Sequence, residues 1–250
     1  FLPYYAAAFL LAACLPHGKY WCGFWTVATL ASILWLLHPL SLTNPPQAGK
    51  RLIWYNVHLN NPDAAGESAA LLAEKADIIT LAEIDLDNPG WQRLRAHYPH
   101  GCQHQEASPF ALALWSTVPL ASCDIAYSSN FPYIRATTTD GTALYALHPP
   151  PPISSALAAA RIAYLHDTAA RIAAEPRALA VGDLNSSPYS PHYRDFLHTS
   201  GTTATTRYLT PTWRPLFLNL DHALVKNLTA DTTPLPWRHS DHRPLCVDYR

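Results

Sequence analysis

The chain has 250 residues, of which 49% are hydrophobic and 14% charged, and its formal net charge is -1. That length buries one sizeable core, alone or with an anchor. So small a net charge excludes a general attraction to nucleic acid and leaves only a local basic patch. Five cysteines occur without a CxxC or a Cys/His spacing typical of zinc sites.

The apolar excess is concentrated at the start, where Lys19 is the only charged residue between Phe1 and Gly49. Two apolar runs, residues 1–15 and 20–38, flank Pro16, His17, Gly18 and Lys19. The second is long enough to span a bilayer, and Tyr20, Trp21, Trp25 and Trp35 lie toward its ends, where interfacial aromatics gather. Residues 1–40 are therefore expected to be membrane-spanning helices. A signal peptide is disfavoured by the two successive runs and the lack of a clear cleavage pattern, and a buried core hairpin is the remaining alternative. The sequence contains no Met and begins at Phe1, so its natural start is expected upstream. Residues 41–50, with Asn44, Pro45 and Pro46, read as a linker. Lys19 would mark the turn between the runs as cytoplasmic and send the remainder outward, whereas Lys50 and Arg51 pull the other way.

From Lys50 onward strands and helices alternate. Arg51 to Val57 reads as a strand. Pro62 to Lys75 reads as a helix, with Asn61 available as cap and Pro62 in its first turn. Further strands are expected at Asp77–Leu81, Ala111–Trp115, Leu120–Tyr127, Tyr133–Thr138 and Thr142–His148, with Asp140-Gly141 turning a hairpin between the last two. After Pro149–Pro152 a helix runs from Ser154 to Ala174, with Ile162, Leu165, Ala169 and Ile172 on one stripe. Ala178–Val181 is a buried strand that Gly182 stops. Beyond it, Asp183 and Asn185 leave the same side if the backbone stays extended. A loop-rich region and strands near Leu220–Val225 and Pro244–Tyr249 complete the chain.

Several strands end in polar groups of one chemical kind. Asn56, Glu83, His148 and Asp183 fall at or just beyond the ends of predicted strands, Asp221 opens one, and Asp241 and His242 precede the last. Singly, Asn56 has a bland reading as a strand-end cap, and Asp183 and Asp221 as turn residues. Together, their carboxylates suit Mg²⁺ or Mn²⁺, and histidines paired with carboxylates suit proton transfer or charge stabilisation. His97, His100 and His104 sit in a loop-to-strand segment, and His58, His166, His192, His198 and His239 read as surface or satisfied core residues. Outside the leader, Cys102, Cys123 and Cys246 are odd in number, which neither requires nor excludes one disulfide.

The motifs Tyr55-Asn56-Val57, Leu81-Ala82-Glu83, Leu147-His148-Pro149, Gly182-Asp183-Leu184-Asn185, Leu220-Asp221-His222 and Ser240-Asp241-His242-Arg243-Pro244 stand in a telling order. Over residues 51–250 the chain resembles the endonuclease/exonuclease/phosphatase (deoxyribonuclease I-like) superfamily. It is most similar to bacterial members with membrane helices before the catalytic domain, which share the Pro after the motif histidine and a Thr-Trp such as Thr212-Trp213. The resemblance implies an α/β four-layer sandwich of two mixed β-sheets flanked by helices. It also implies a membrane-anchored enzyme, dependent on Mg²⁺ or Mn²⁺, that hydrolyses phosphodiester bonds with an activated water. Glu83 would be the main metal ligand, with Asn56 beside it and Asp241 helping directly or through water. Asp183 would orient or deprotonate the water, and Asn185 would hold the phosphate. His242, oriented by Asp221, and His148 would bind phosphate oxygens. Ala82 departs from the family, where many members have Gln. The partners implied are a phosphoester (nucleic acid, phospholipid or small molecule) and a lipid bilayer in a bacterial cell membrane, with no obligate protein partner. A lipid or small-molecule phosphatase is the alternative, and a non-catalytic binding module on the same fold is the rival from another class.

Overall fold

The structure is a computed structural model that describes residues 49–250 apart from 208 and 209, together with Thr26, Val27 and Leu30. The chain divides into two units, Phe1–Ser41 and Leu42–Arg250, and the elements that carry the site belong to the second. Among the described residues no helix is long and apolar enough to cross a membrane. The expected spanning runs lie, those three residues apart, outside the described residues.

In chain order the first half contains β1 (Lys50–Asn56), α1 (Ala64–Ala73), β2 (Ile78–Ala82), α2 (Gln92–His97), β3 (His100–His104), β4 (Leu112–Ser116), β5 (Leu120–Ser128), β6 (Phe131–Thr138) and β7 (Ala143–Leu147). The second half contains α3 (Ser155–Ala173), β8 (Ala178–Asp183), α4 (Pro191–Ser200), β9 (Thr203–Ala204), β10 (Asp221–Lys226), β11 (Ala230–Pro234) and β12 (Leu245–Tyr249). They form two six-stranded sheets, ordered β11-β12-β1-β2-β4-β3 and β5-β6-β7-β8-β10-β9. Each sheet is antiparallel except at one central pair, β1 with β2 and β7 with β8, where a helix makes the crossover.

Alternation along the strands makes the layers. One face of each sheet contributes Leu52, Trp54, Leu112 and Leu114, or Ile134, Leu144, Leu179 and Val181, to a core between the sheets. The opposite faces carry Ile53, Tyr55 and Ile79 against α1 and α2, and Tyr145, Ala180 and Leu224 against α3 and α4. The result is the expected four-layer sandwich. β1 starts at Lys50, paired with Tyr249, and ends at Asn56, so the chain enters at one end of the sandwich and presents Asn56 at the other.

Several boundaries differ from expectation for local reasons. α1 is capped by Asp63, whose carboxylate accepts from Gly66 N at 3.0 Å. Asn61 instead accepts from Asp63 N in a preceding turn, which leaves Pro62 outside the helix. Ser154, expected to open the helix, is instead the cap of α3, and Ile162 is 39% exposed, with Tyr164 and Thr168 on the buried face in its place. Gly182 does not stop β8. It pairs with Leu147 and His222, and a Cβ there would lie 2.2 Å from the Leu147 carbonyl oxygen, so the glycine permits a close approach of backbones. The Asp140-Gly141 hairpin forms, with Gly141 at φ 81°. At the sandwich edge a disulfide joins Cys102 of β3 to Cys123 of β5, one sheet to the other, and Cys246 stays a buried free thiol.

Candidate active site

The stripes that fill the inter-sheet core end in polar residues at one rim. Leu52 and Trp54 lead to Asn56, Leu144 and Ala146 to His148, and Leu179 and Val181 to Asp183, while β10 begins with Asp221 before Ala223 and Val225. The same period of two that buries the core therefore aims these groups into the gap between the sheets.

Asp183 and Asp221 stand directly opposite each other in the antiparallel ladder, a register in which two anions repel. His242 resolves the repulsion. Its Nδ1 donates to Asp221 Oδ2 at 2.7 Å, and its Nε2 lies 3.5 Å from Asp183 Oδ2. Burial works against a charged imidazole, but Asp221 and Asp183 outweigh it and raise the His242 pKa to about 10. Burial, reinforced by Asp221 and opposed by His242, pushes the Asp183 carboxyl up to about 6. Near neutrality an imidazolium thus bridges two buried carboxylates. Asp221 is fixed further by Trp54 Nε1, which donates to Oδ1 at 2.8 Å, and by Thr212 Oγ1, which accepts from its backbone N–H at 2.9 Å.

Glu83 follows β2 in a left-handed conformation (φ 55°), with its Oε1 accepting from Asn56 Nδ2 at 2.8 Å. Asn56 Nδ2 also lies 3.4 Å from Asp183 Oδ2, and its Oδ1 accepts from His58 N. Asn56 therefore holds Glu83 in place here, and offering its oxygen to an ion would require turning the amide over. His148 Nε2 is 3.7 Å from Glu83 Oε1 and 3.9 Å from Asp183 Oδ2, so the ring faces both carboxylates without a hydrogen bond to either. Its Nδ1 is buried without a hydrogen-bond partner among the described residues.

Asn185, at φ 47°, is not extended, so it does not share a strand face with Asp183. Its backbone N–H donates to Asp183 Oδ1 at 2.8 Å and its Nδ2 to the Pro149 carbonyl at 3.0 Å, which ties the loop after β8 to the segment after His148. Asp241 accepts from Trp213 Nε1 at 2.8 Å. Ser240 Oγ donates to the Asn56 carbonyl and accepts from His242 N, joining the end of β1 to the histidine. Buried Glu67 of α1 accepts from Arg238 Nε at 2.9 Å and His239 N at 3.0 Å, anchoring the segment that leads to Asp241. Ser240 and Thr212 lie within the recognised motifs. Trp54 and Glu67 carry no sequence signal that separates them from packing residues.

Among the described residues, the group whose ligand atoms lie within 4.8 Å of one another is Asp183, Asp221 and His242, and the three histidines from His97 to His104 form no such cluster. An imidazolium between two carboxylates already fills that group with a cation. The unused capacity is at Glu83, whose second oxygen makes no hydrogen bond among the described residues. Three carboxylates at the rim, Glu83, Asp183 and Asp221, exceed the one imidazolium, and this surplus of hard oxygen fits a divalent cation on the Glu83 side.

A family model described as the Endonuclease/Exonuclease/phosphatase family matches residues 53–242. No curated protein sequence matches the chain. Solved structures similar in fold include the human nocturnin catalytic domain with a bound sulfate anion, at TM-score 0.66 and 16% identity over 84% of this chain and 96% of that one. Sphingomyelinase C from Streptomyces griseocarneus aligns at TM-score 0.60 and 15% identity, over 81% of this chain and 99% of that one. A beta toxin variant from Staphylococcus aureus with bound magnesium ions aligns at TM-score 0.59 and 13% identity, over 80% and 99% respectively.

Proposed function

Because the chain belongs to the endonuclease/exonuclease/phosphatase family, we propose that it is a divalent-metal-dependent hydrolase of phosphodiester bonds. The observation that carries this reading is the buried Asp221–His242–Asp183 relay opening toward Glu83 and His148. Asp183 accepts the proton of the attacking water. The His242 imidazolium faces the negative charge that grows on the phosphoryl oxygens, and Asp221 holds the ring in its tautomer and orientation. His148 lies across the gap as a second group for those oxygens. Glu83, with Asn56 and Asp241, would hold Mg²⁺ or Mn²⁺, which supplies Lewis-acid neutralisation of the phosphate.

A substrate that extends beyond the reacting phosphate would meet residues next to Asp241 and His242 in the fold. Arg214 and Arg243 lie 5.1 and 5.2 Å from the Trp237 ring centroid, and Leu216 and Phe217 beside them are 55% and 67% exposed. Cations with exposed apolar groups suit a nucleic-acid strand or a lipid headgroup and its glycerol. Membrane attachment through residues 1–40 belongs to the same proposal. The extracytoplasmic placement is supported by Lys19 and by the Cys102–Cys123 disulfide, since disulfides persist in oxidising compartments.

The test is turnover of bis(p-nitrophenyl) phosphate by the full chain, followed by DNA, RNA and phospholipid substrates. Chelator should abolish turnover and Mg²⁺ restore it. Glu83→Gln, Asp183→Asn and His242→Ala should each lower kcat by about a hundredfold or more with the fold retained, while His100→Ala is silent. Full activity in excess chelator would sink the metal assignment, and near-normal turnover in any of the three variants would sink that residue's role.

A further inference from the structure

Asp221 is wholly buried, and each of its carboxylate oxygens has its own donor. Oδ2 takes the Nδ1–H of His242, and Oδ1 takes the indole N–H of Trp54 at 2.8 Å. Trp54 belongs to β1, in the other sheet, two residues before Asn56. Their bond therefore crosses an inter-sheet core otherwise built from side chains such as Leu52, Leu114, Leu144 and Val181.

Packing alone does not call for an indole N–H at this depth, because phenylalanine would fill most of the same space. A buried indole N–H must find an acceptor, and the one it finds is the carboxylate that orients His242. Without that donor, Oδ1 would be left bare in an apolar surrounding and the carboxylate would be free to turn about its Cβ–Cγ bond. We propose that Trp54 is a positioning residue for the reaction: it locks Asp221 so that the His242 ring faces Asp183 at a fixed angle. The same bond couples the relay to the strand that delivers Asn56 to the rim. This inference rests on the relay being the reaction centre.

Trp54→Phe in the full chain removes the N–H and keeps most of the ring. Trp115→Phe is the matched control. Trp115 is as deeply buried in the same sheet, but its Nε1 donates to Gln103 Oε1 at 3.0 Å, away from the rim. Both variants should lose thermal stability, Trp54→Phe the more, since it leaves an oxygen of a buried carboxylate without its donor. Only Trp54→Phe should lower kcat on bis(p-nitrophenyl) phosphate, by about ten- to a hundredfold, as outer-shell substitutions at active sites do, with KM changed less than about twofold. Only Trp54→Phe should also broaden or displace the downfield proton resonance of the His242 Nδ1–H. Wild-type kcat and an unmoved resonance in Trp54→Phe would overturn the proposal, as would equal losses of kcat in both variants. Should Trp54→Phe fail to fold, benzothienylalanine at position 54 exchanges N–H for sulfur in nearly the same shape and is judged by the same two readouts. A wild-type chain inactive on every phosphodiester would refute the proposed function, whereas the resonance would still report whether Trp54 holds Asp221.

Discussion

His222 follows Asp221 in β10 and, by alternation, faces the other way, against Tyr193 of α4 with ring centroids 4.4 Å apart. Its Nε2–H donates to the Ser186 carbonyl at 2.8 Å, and its Nδ1 is buried without a hydrogen-bond partner among the described residues. Burial lowers its pKa from 6.5 to about 4, so the folded chain holds it neutral. The unfolded chain therefore takes up a proton that the folded one refuses. This contribution to stability is present above pH 6.5 and is lost as the pH falls through about 4, amounting to about 3 kcal/mol. Asp183, whose folded pKa is raised, acts in the opposite sense over part of that range, so the comparison must be between variants. Urea midpoints of wild type and His222→Gln should converge as the pH is lowered from 7 to 4, and curves that stay parallel would remove His222 from the acid response.

Gly182 shows how one strand sets the spacing of the site. A methyl group there would meet the backbone of Leu147, the residue before His148, so β7 and β8 would have to part. Gly182→Ala should cost about 2 kcal/mol or more and also lower kcat, because His148 and Asp183 ride on the two strands that separate. A melting temperature and kcat both within error of wild type would refute this. Strands such as β1, β2, β4, β7 and β8 were legible because their sequences are nearly continuous apolar runs, and their polar ends were legible as departures from those runs. β3 (HGCQH) and β11 (ADTTP) were not, since edge strands with little apolar content are held by their neighbours. α4 lay in a stretch expected to be loop, yet Pro191 at its start and Gly201 in the left-handed conformation at its end mark it. At the site, Asn56, Glu83, His148 and Asp183 could be read as strand ends. The role of Trp54 could not, because an aromatic in a buried strand has the same signature whether its N–H is used or not.

The two sheets are joined by their shared core and, at one edge, by the Cys102–Cys123 bond, which spans 21 residues of sequence. Closing a loop of that size stabilises by about 3 kcal/mol in the chain-entropy picture. Reductant, or the paired Cys102→Ser and Cys123→Ser substitution, should lower the melting temperature by several degrees. Because the rim lies on β1, β7, β8 and β10, turnover at low temperature should be unaffected. A melting temperature indifferent to reductant would show that the edge holds without the bond. The ends of β1 carry a different consequence. Whatever precedes Lys50 is attached beside Tyr249, while the rim opens past Asn56 at the far end of the sandwich. A domain moored at Lys50 turns its mouth away from its own mooring.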